Sequence, residues 1–451
     1  MHHSDTRHNE KGVTQMSSEM ILTIGMFGGL VVSIMMGISL AFAMGGIGVI
    51  GALVMWGPAG LMPIVTGVFN YMWMLLLAAV PLFIFIGVAL SKSKIAVDMY
   101  ETFYLWSGSM RGGLAVGSCG FAAALSAMTG NCSASTVTTG LVGIPPMRKK
   151  GYSEKLIFGT IGSAGTLGIL IPPSITLIVI GMMTGQSIGK LFAGGLGAGM
   201  LILSAFILYI IVVSWLHPET CPAIDEPVSL KLKFRSLVSV ILPLAIVLAI
   251  LGTIFLGIAT PTEAASVGAV AVVLSIMLRG EFNYKFVKEV SYATATITGM
   301  VLWIMFGASG FVAVYSGGGG VFFVQQLLAG ADVGPWTLFI LMQLIVFILG
   351  MFVDPMGIIL LCIPIFHPII TQLGFDPIWF GVLFQVNLCM GYITPPFGYN
   401  LFYLKSLSPE TEMKIIYSSV MPFIAIMIAA MVLMIVLPQI ILFFPSILVA
   451  K

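Results

Sequence analysis

The chain has 451 residues, of which 59% are hydrophobic and only 8% are charged, and its net charge at neutral pH is +2. A soluble domain typically carries about 25% charged residues, so this composition excludes an ordinary soluble enzyme and indicates a polytopic membrane protein. The small net charge argues against nucleic acid as a partner. At about 20 apolar residues per crossing of the lipid bilayer, the length allows roughly ten to fourteen membrane segments.

Hydropathy predicts a polar N-terminal tail over residues 1–19 and then twelve apolar segments. In chain order they are 20–41, 42–57, 62–91, 113–147, 154–186, 190–215, 236–257, 262–278, 290–316, 333–370, 377–405 and 412–445. The tail lacks the apolar stretch of a signal peptide, so we expect the first membrane helix to direct insertion. Residues 95–110 combine acidic and aromatic side chains, which predicts an amphipathic helix along the membrane interface.

Two of the segments, 113–147 and 333–370, are too long for a single crossing and carry polar or turn-forming residues at their centres. The central sequences are residues 130–135 and residues 352–357. A helix that enters the membrane, turns and leaves on the same side fits both segments better than one long span does. Irregular backbone at that depth requires a protein or water environment.

Two further segments are interrupted by matching double prolines, Gly168–Pro173 and Gly391–Pro396, which lie 223 residues apart. A proline inside a helix removes one hydrogen bond and clashes with an earlier carbonyl. In a membrane, the freed backbone groups are tolerated only where protein or a wet cavity surrounds them. Two matching breaks therefore indicate a transporter site built from discontinuous helices.

The distribution of basic residues predicts the topology. If five clusters are cytoplasmic, every crossing between them alternates correctly, and they hold 15 of the 19 lysines and arginines, as the positive-inside rule expects. Both termini are then predicted to be periplasmic. The first hairpin enters from the cytoplasm, between Arg111 and Arg148, and the second from outside, between Asp332 and Asp376. Residues 111–186 and 333–407 are thus predicted to be inverted repeats.

The sequence Thr260-Pro-Thr-Glu263 has the pattern of a capping box, with threonine at the N-cap, proline at the first helical position and glutamate two residues later. We interpret Thr260 and Glu263 as a structural helix cap. A functional role for Glu263 is the alternative.

Helix ends at mid-membrane explain how such a site binds its ligands. The N-terminus of a half-helix carries unpaired N–H groups and a partial positive charge, so it can hold a carboxylate without lysine or arginine. The opposite half-helix ends in free carbonyls, which together with Ser, Thr and Asn oxygens suit Na⁺. The candidate substrate-binding residues are Asn131, Ser133, Ser135, Asn387 and Asn400. For the hydroxyl groups, bonding within or between helices is the alternative role.

Asp354 differs from these residues because an ionisable group at membrane depth is costly and usually functional. We expect it to contact an ion or the substrate, or to hold the second hairpin tip. Its alternative role is to cap the half-helix that follows it.

Several long motifs in the right order resemble the large membrane subunit of tripartite ATP-independent periplasmic (TRAP) transporters, the DctM family. The resemblance covers nearly all of residues 20–445. Its most specific stretches are Gly165–Ser174 with Ser187–Phe192, Thr260–Ala265 and Asn387–Phe402.

The resemblance implies an all-α, inverted-repeat transporter of the elevator type in the bacterial inner membrane, with two re-entrant helical hairpins and two broken helices. A transport domain, residues 111–187 and 332–407, is expected to slide past a scaffold formed by residues 20–110, 188–331 and 408–451. The implied partners are a four-helix small membrane subunit and a periplasmic binding protein that delivers a small organic acid. In this family, selectivity is expected to rest largely on the binding protein.

The resemblance also implies coupling to Na⁺, with one ion site in each repeat. The candidate residues of the first site are Gly130, Asn131, Cys132, Ser133, Ser135, Thr166, Gly168 and Pro172. Those of the second site are Val353, Asp354, Met356, Gly391, Thr394 and Pro395. Asn131 and Cys132 interrupt a run of small hydroxyl residues that is common at the first tip, and Met356 replaces a threonine that is frequent at the second. Backbone carbonyls are therefore favoured over tip side chains as Na⁺ ligands.

Three other functions remain as alternatives. A stand-alone ion-coupled carboxylate carrier uses similar hairpins and differs by working without a binding protein. An intramembrane enzyme needs a catalytic constellation such as paired aspartates, a Ser–Lys dyad or an HExxH motif, and we find none in the sequence. A passive channel fits less well, because hairpins that end inside the membrane suit a carrier that occludes its substrate.

Overall fold

The computed structural model describes residues 4–107, 110–222, 229–330 and 334–449, so Asp332 lies outside the described residues. Across these ranges the regular structure is helical throughout. The helices are α1 (Ser4–Met35), α2 (Leu40–Trp56), α3 (Leu61–Met72), α4 (Ala79–Lys92), α5 (Lys94–Ser107), α6 (Gly113–Thr129), α7 (Cys132–Lys149), α8 (Glu154–Thr166), α9 (Ile175–Thr184), α10 (Ile188–Leu216), α11 (Leu230–Phe255), α12 (Pro261–Leu278), α13 (Tyr284–Gly317), α14 (Gly320–Gly330), α15 (Pro335–Gly350), α16 (Pro355–Gln372), α17 (Pro377–Gly391), α18 (Tyr399–Leu407), α19 (Met413–Val436) and α20 (Gln439–Leu448). In the part of the chain that is described, nine spans are long and apolar enough to cross a membrane.

The two predicted helix breaks are confirmed. The first lies between α8 and α9, where a short 3-10 turn over Leu167–Ile169 precedes the double proline. The second separates α17 from α18. The bonds Pro172–Pro173 and Pro395–Pro396 are both cis, so the two breaks share the same backbone form.

Both predicted hairpins are also present. Helices α6 and α7 pack against each other and are joined only by Gly130 and Asn131. Gly130 ends α6 with a φ of +59°, a left-handed conformation that glycine adopts without steric cost. Asn131 then caps α7, because its side-chain oxygen accepts a hydrogen bond from the backbone N–H of Ser133. In the second hairpin, residues 351–354 join α15 to α16.

The C-terminal segment differs from the sequence prediction. Residues 412–445, predicted as one membrane segment, form the two helices α19 and α20. The interruption falls at Leu437 and Pro438. Proline has no N–H to continue the hydrogen bonds of α19, so a new helix starts there.

The described helices form two compact units. The first comprises Met1–Leu77, Thr298–Met342 and Met356–Gly374. In this unit a Cβ added at Gly48 would lie 2.9 Å from the carbonyl carbon of Gly310, so the backbones of α2 and α13 touch. The division into transport domain and scaffold concerns motion rather than packing, and it stays a prediction.

The second unit comprises Ala78–Ile297, Gln343–Pro355 and Phe375–Lys451. Within it the first hairpin packs against α4, α5, α8 and α10, and α8 packs along α19. Glycine allows very close approach at the tip of this hairpin, because a Cβ added at Gly87 in α4 would lie 2.6 Å from the Cα of Thr129. Both helix breaks and both hairpin tips belong to this unit up to Pro355, so its packing positions the candidate site.

The capping box at the start of α12 is formed. The backbone N–H of Thr260 donates to Glu263 Oε2 at 2.8 Å, and the N–H of Glu263 donates to Thr260 Oγ1 at 3.3 Å. The carboxylate of Glu263 is therefore engaged by the helix N-terminus.

Candidate functional site

The tip of the first hairpin lies directly against the first helix break, backbone to backbone. A Cβ added at Gly168 would lie 2.8 Å from both the carbonyl carbon and the carbonyl oxygen of Asn131. A Cβ added at Gly130 would lie 2.7 Å from the carbonyl oxygen of Pro173. Only glycine at both positions permits this contact, which brings main-chain oxygens of the tip and of the break together.

The carbonyl of Thr166, at the end of α8, joins the two repeats. It accepts hydrogen bonds from the thiols of Cys132, at 3.2 Å, and Cys389, at 3.3 Å. Cys132 begins α7 in the first repeat, and Cys389 lies in α17 of the second. The hydroxyl of Thr166 donates to the carbonyl of Ser163 at 2.8 Å, so it follows the helix backbone.

The second tip repeats this arrangement. A Cβ added at Gly391 would lie 2.7 Å from the Cα of Gly350, so the ends of α15 and α17 touch through backbone alone. The N–H of Gly398 donates to the carbonyl of Met351 at 3.3 Å, which ties the second break to the tip. The hydroxyl of Thr394 donates to Met390 O at 2.7 Å. Among the other predicted residues, Val353 and Met356 are buried.

Asp354 is the charged residue of the second tip. It is half-buried and interacts electrostatically with Tyr392, Tyr399 and Tyr403 in the second repeat. It also interacts with Cys132 in the first repeat. The carboxylate therefore lies near groups from both repeats, and its contact with an ion or the substrate stays a prediction.

Asn131 and Ser133 form the part of the first tip that faces this region. The side-chain oxygen of Asn131 accepts two bonds from Ser133, one from its N–H at 2.9 Å and one from its hydroxyl at 2.7 Å. Ser133 also lies beside the hydroxyl of Tyr403. Both residues are half-buried, so they remain accessible to a ligand.

The other three predicted substrate residues connect helices. Ser135 donates to Ala122 O at 3.0 Å inside the first hairpin. Asn400 donates to Gly162 O at 2.7 Å and so attaches α18 to α8. Asn387 donates to the backbone and side-chain oxygens of Gln343, which attaches α17 to α15. All three are buried, and their role in substrate binding stays a prediction.

The sequence prediction missed four residues of this region. They are Gln343, Tyr392, Tyr399 and Tyr403. Tyr399 and Tyr403 are four residues apart and therefore lie on one face of α18, a signal that helical periodicity contains. No sequence pattern identifies Gln343, because its hydrogen-bond partner Asn387 is distant in sequence.

A charged cluster connects the first repeat to the loop that follows the second repeat, at the end that is predicted to be cytoplasmic. Arg148, in the last turn of α7, forms a two-point ion pair with Glu154 at the start of α8, with both distances 2.8 Å. The same guanidinium group donates to Glu410 and Thr411, in the loop between α18 and α19. The backbone N–H of Glu410 and the hydrogen bond from Arg148 hold the pKa of the Glu410 carboxylate below its usual 4.5.

We expect Arg148→Met to lower the melting temperature of the purified protein by a few degrees, because one side chain supports four contacts. A carboxylate with a lowered pKa contributes stability above its unfolded pKa and loses it as pH falls through the folded pKa. The deficit of the variant should therefore be full at neutral pH and shrink below about pH 4.5. Melting curves of both proteins across pH test this, and a deficit independent of pH contradicts it.

A sequence profile described as "Tripartite ATP-independent periplasmic transporter, DctM component" matches residues 27–440. The chain is similar to the ectoine/5-hydroxyectoine TRAP transporter large permease protein UehC of Ruegeria pomeroyi, with 31% identity over 81% of this chain and 85% of the relative. It is also similar to the C4-dicarboxylate TRAP transporter large permease protein DctM of Pseudomonas aeruginosa, with 29% identity over 82% and 86% of the two chains.

The fold is similar to that of the YdaH transporter of Alcanivorax borkumensis, whose crystal structure is described as having an unusual topology. The TM-score is 0.64 at 15% sequence identity, and the match covers 89% of this chain and 98% of the other. At this identity the likeness concerns the fold alone.

Proposed function

The chain belongs to the DctM family of tripartite ATP-independent periplasmic transporters, and we propose that it imports a small carboxylate together with Na⁺ by an elevator mechanism. The family makes it the large permease subunit of a secondary transporter for organic acids, and not an enzyme. Coupling to Na⁺, the elevator motion and dependence on a binding protein are the proposed parts.

The observation that carries the proposal is the double contact between hairpin tips and helix breaks. Gly168 on Asn131 and Gly391 on Gly350 each bring two backbone segments within van der Waals contact. Such segments present carbonyl oxygens, and Na⁺ is a hard cation that suits oxygen ligands. The second tip adds a carboxylate, Asp354. The donor set at both places therefore fits Na⁺.

The substrate carboxylate is proposed to bind between the tips, at the N-terminus of α7. The first N–H groups of a helix and its partial positive charge favour an anion there. Asn131 and Ser133 occupy this helix start and are half-buried. A carboxylate at this point would be repelled by the carboxylate of Asp354, and Na⁺ bound at the second site is proposed to offset that repulsion.

The proposed partners follow from the family. A four-helix small membrane subunit is proposed to bind the scaffold, and a periplasmic binding protein is proposed to deliver the substrate. The lipid environment is proposed to be the bacterial inner membrane, with both termini in the periplasm.

Uptake into vesicles that contain both membrane subunits tests the proposal. With the loaded binding protein outside, we expect accumulation only under an inward Na⁺ gradient, since the gradient supplies the driving force. Replacing Na⁺ by K⁺ on both sides is the control for leakage.

Uptake that persists after the Na⁺ gradient is dissipated overturns the coupling. Transport by the large subunit alone, without a binding protein, would instead identify a stand-alone carrier. Neither result affects membership of the family, which rests on sequence.

A further inference from the structure

A cavity of about 400 Å³ lies beside the last turns of α10, and it combines one basic side chain with apolar ones. Its walls are formed by Met110, Arg111, Ile211 and Trp215. Met110 is 52% exposed, Trp215 is 76% exposed and Arg111 is also exposed, so the cavity opens to the surroundings of the protein. In the predicted topology this end of α10 is cytoplasmic, because Arg111 belongs to one of the cytoplasmic basic clusters.

The turn that precedes α6 is held directly against α10. Gly112 in this turn has a φ of +71°, a left-handed conformation that glycine adopts without steric cost. A Cβ added at Gly112 would also overlap the hydroxyl group of Ser214. Only glycine meets both conditions, so the backbone of the turn contacts α10 at this point. Arg111, the residue before Gly112, is therefore fixed close to Trp215, the residue after Ser214.

An apolar stripe of α10 continues from the cavity. Leu208, Val212 and Trp215 recur at helical spacing, and Leu208 and Val212 are 62% and 44% exposed. Helix α10 is long and apolar enough to cross a membrane, so its exposed apolar face suits contact with lipid acyl chains. Tryptophan is enriched where acyl chains meet the head groups. Trp215 therefore marks the level of the head groups, and Arg111 lies at that level.

The surface near the cavity is basic. The first turns of α11 carry Lys231, Lys233 and Arg235, and the indole N–H of Trp106 in the last turn of α5 donates to the carbonyl of Lys233 at 3.1 Å. Among the described residues, no carboxylate lies within ion-pair distance of Arg111 or of these three side chains. Unbalanced positive charge at a membrane surface attracts anionic lipids.

We propose that this cavity binds an anionic phospholipid, with its phosphate at Arg111 and an acyl chain along Leu208, Ile211 and Trp215. A guanidinium group matches a phosphate with two parallel N–H bonds. The basic part of the site lies at the level of the head groups and the apolar part extends towards the bilayer, which is the order of the two parts of a phospholipid. None of these residues belongs to the hairpin tips or the helix breaks, so the inference does not depend on the proposed transport reaction.

Quenching of tryptophan fluorescence by brominated lipids tests the proposal in the purified complex of the two membrane subunits. The difference between the wild type and Trp215→Phe isolates the signal of Trp215 from those of the other tryptophans. Dibrominated phosphatidylglycerol is anionic, whereas dibrominated phosphatidylcholine has the same phosphate but no net charge. The anionic lipid should quench Trp215 at a mole fraction about fivefold lower. Equal quenching by the two lipids overturns the proposal.

Arg111→Gln tests the position of the phosphate. The substitution removes one charge from an exposed side chain, and the two lipids should then quench Trp215 equally. Lys285→Gln is the matched control, because Lys285 is exposed at the start of α13 and does not line the cavity. This control should keep the preference of about fivefold. A preference that survives Arg111→Gln shows that Arg111 does not bind the phosphate, and the proposed site is wrong.

Two other occupants of the cavity give different results in the same experiment. If the small subunit covers this face of the large subunit, neither lipid will quench Trp215 in the complex, and the proposal fails. If the cavity binds a soluble phosphate ester, millimolar glycerol 3-phosphate will abolish the preference for phosphatidylglycerol, and the ligand is then not a lipid. A preference that persists with glycerol 3-phosphate present supports the phospholipid.

Discussion

Gly168→Ala is expected to abolish Na⁺-driven uptake. The added methyl group would lie 2.8 Å from the carbonyl carbon and oxygen of Asn131 and 3.0 Å from the nitrogen of Cys132. These are backbone atoms, so no side-chain rotation relieves the overlap, and overpacking of this kind typically costs about 1–3 kcal/mol. The first tip must move away from the first break, which separates the oxygens proposed to bind Na⁺.

Uptake rates and the stabilisation by Na⁺ should be measured together for this variant. Gly391→Ala, whose added methyl group would lie 2.7 Å from Gly350, should have the same effect at the second site. Gly252→Ala is the matched control, because nothing lies within 4 Å of its added methyl group in α11. Normal Na⁺-dependent uptake by Gly168→Ala would show that the tip and break need not touch, and the proposed ion site would be wrong.

Asp354→Asn is expected to lower the initial rate of uptake at least about tenfold with little loss of stability. The substitution keeps the shape and removes the charge that interacts with residues of both repeats. An ionisable group at membrane depth is costly to bury and is therefore usually retained for function. The concentration of Na⁺ needed for half-maximal uptake should rise, because the cation loses a charged neighbour.

Asparagine also distinguishes the two roles of Asp354, because it caps helices as well as aspartate does. Wild-type uptake by Asp354→Asn would reduce the residue to the cap of α16. Asp376→Asn is the matched control. Asp376 accepts bonds from the N–H groups of Ile378 and Trp379 at the start of α17, and asparagine can replace it in that purely structural role.

The backbone features of the site could be predicted from sequence because they depend on single residue types. A double proline cannot continue a helix, so Pro172–Pro173 and Pro395–Pro396 mark the breaks wherever the helices pack. An apolar segment with a polar centre, such as residues 113–147, is too long to cross once, so the hairpin follows. Gly168 and Gly391 stand at the same distance before the two double prolines, and both contact a hairpin tip.

The side-chain part of the site could not be predicted in the same way. Ser135 is polar and near the tip, but the sequence does not reveal that its hydroxyl donates to the carbonyl of Ala122 across the hairpin. The partner of Asn387 is Gln343, 44 residues away on another helix. Hydropathy and periodicity describe one helix at a time, so they contain no information on which polar groups meet between helices.

The sequence by itself determined that this protein is an all-helical membrane protein with two hairpins and two broken helices, because hydrophobicity, proline and glycine act locally on the backbone. Its identity as a transporter subunit came from the likeness of its motifs to a known family. Only the tertiary structure decided what surrounds the break at Gly391. Folding brings Asp354 from one hairpin tip, Cys132 from the other and the tyrosines of α18 to one place, from positions more than 200 residues apart along the chain. The electrostatic character of the site depends on distances between these groups, and packing alone sets those distances.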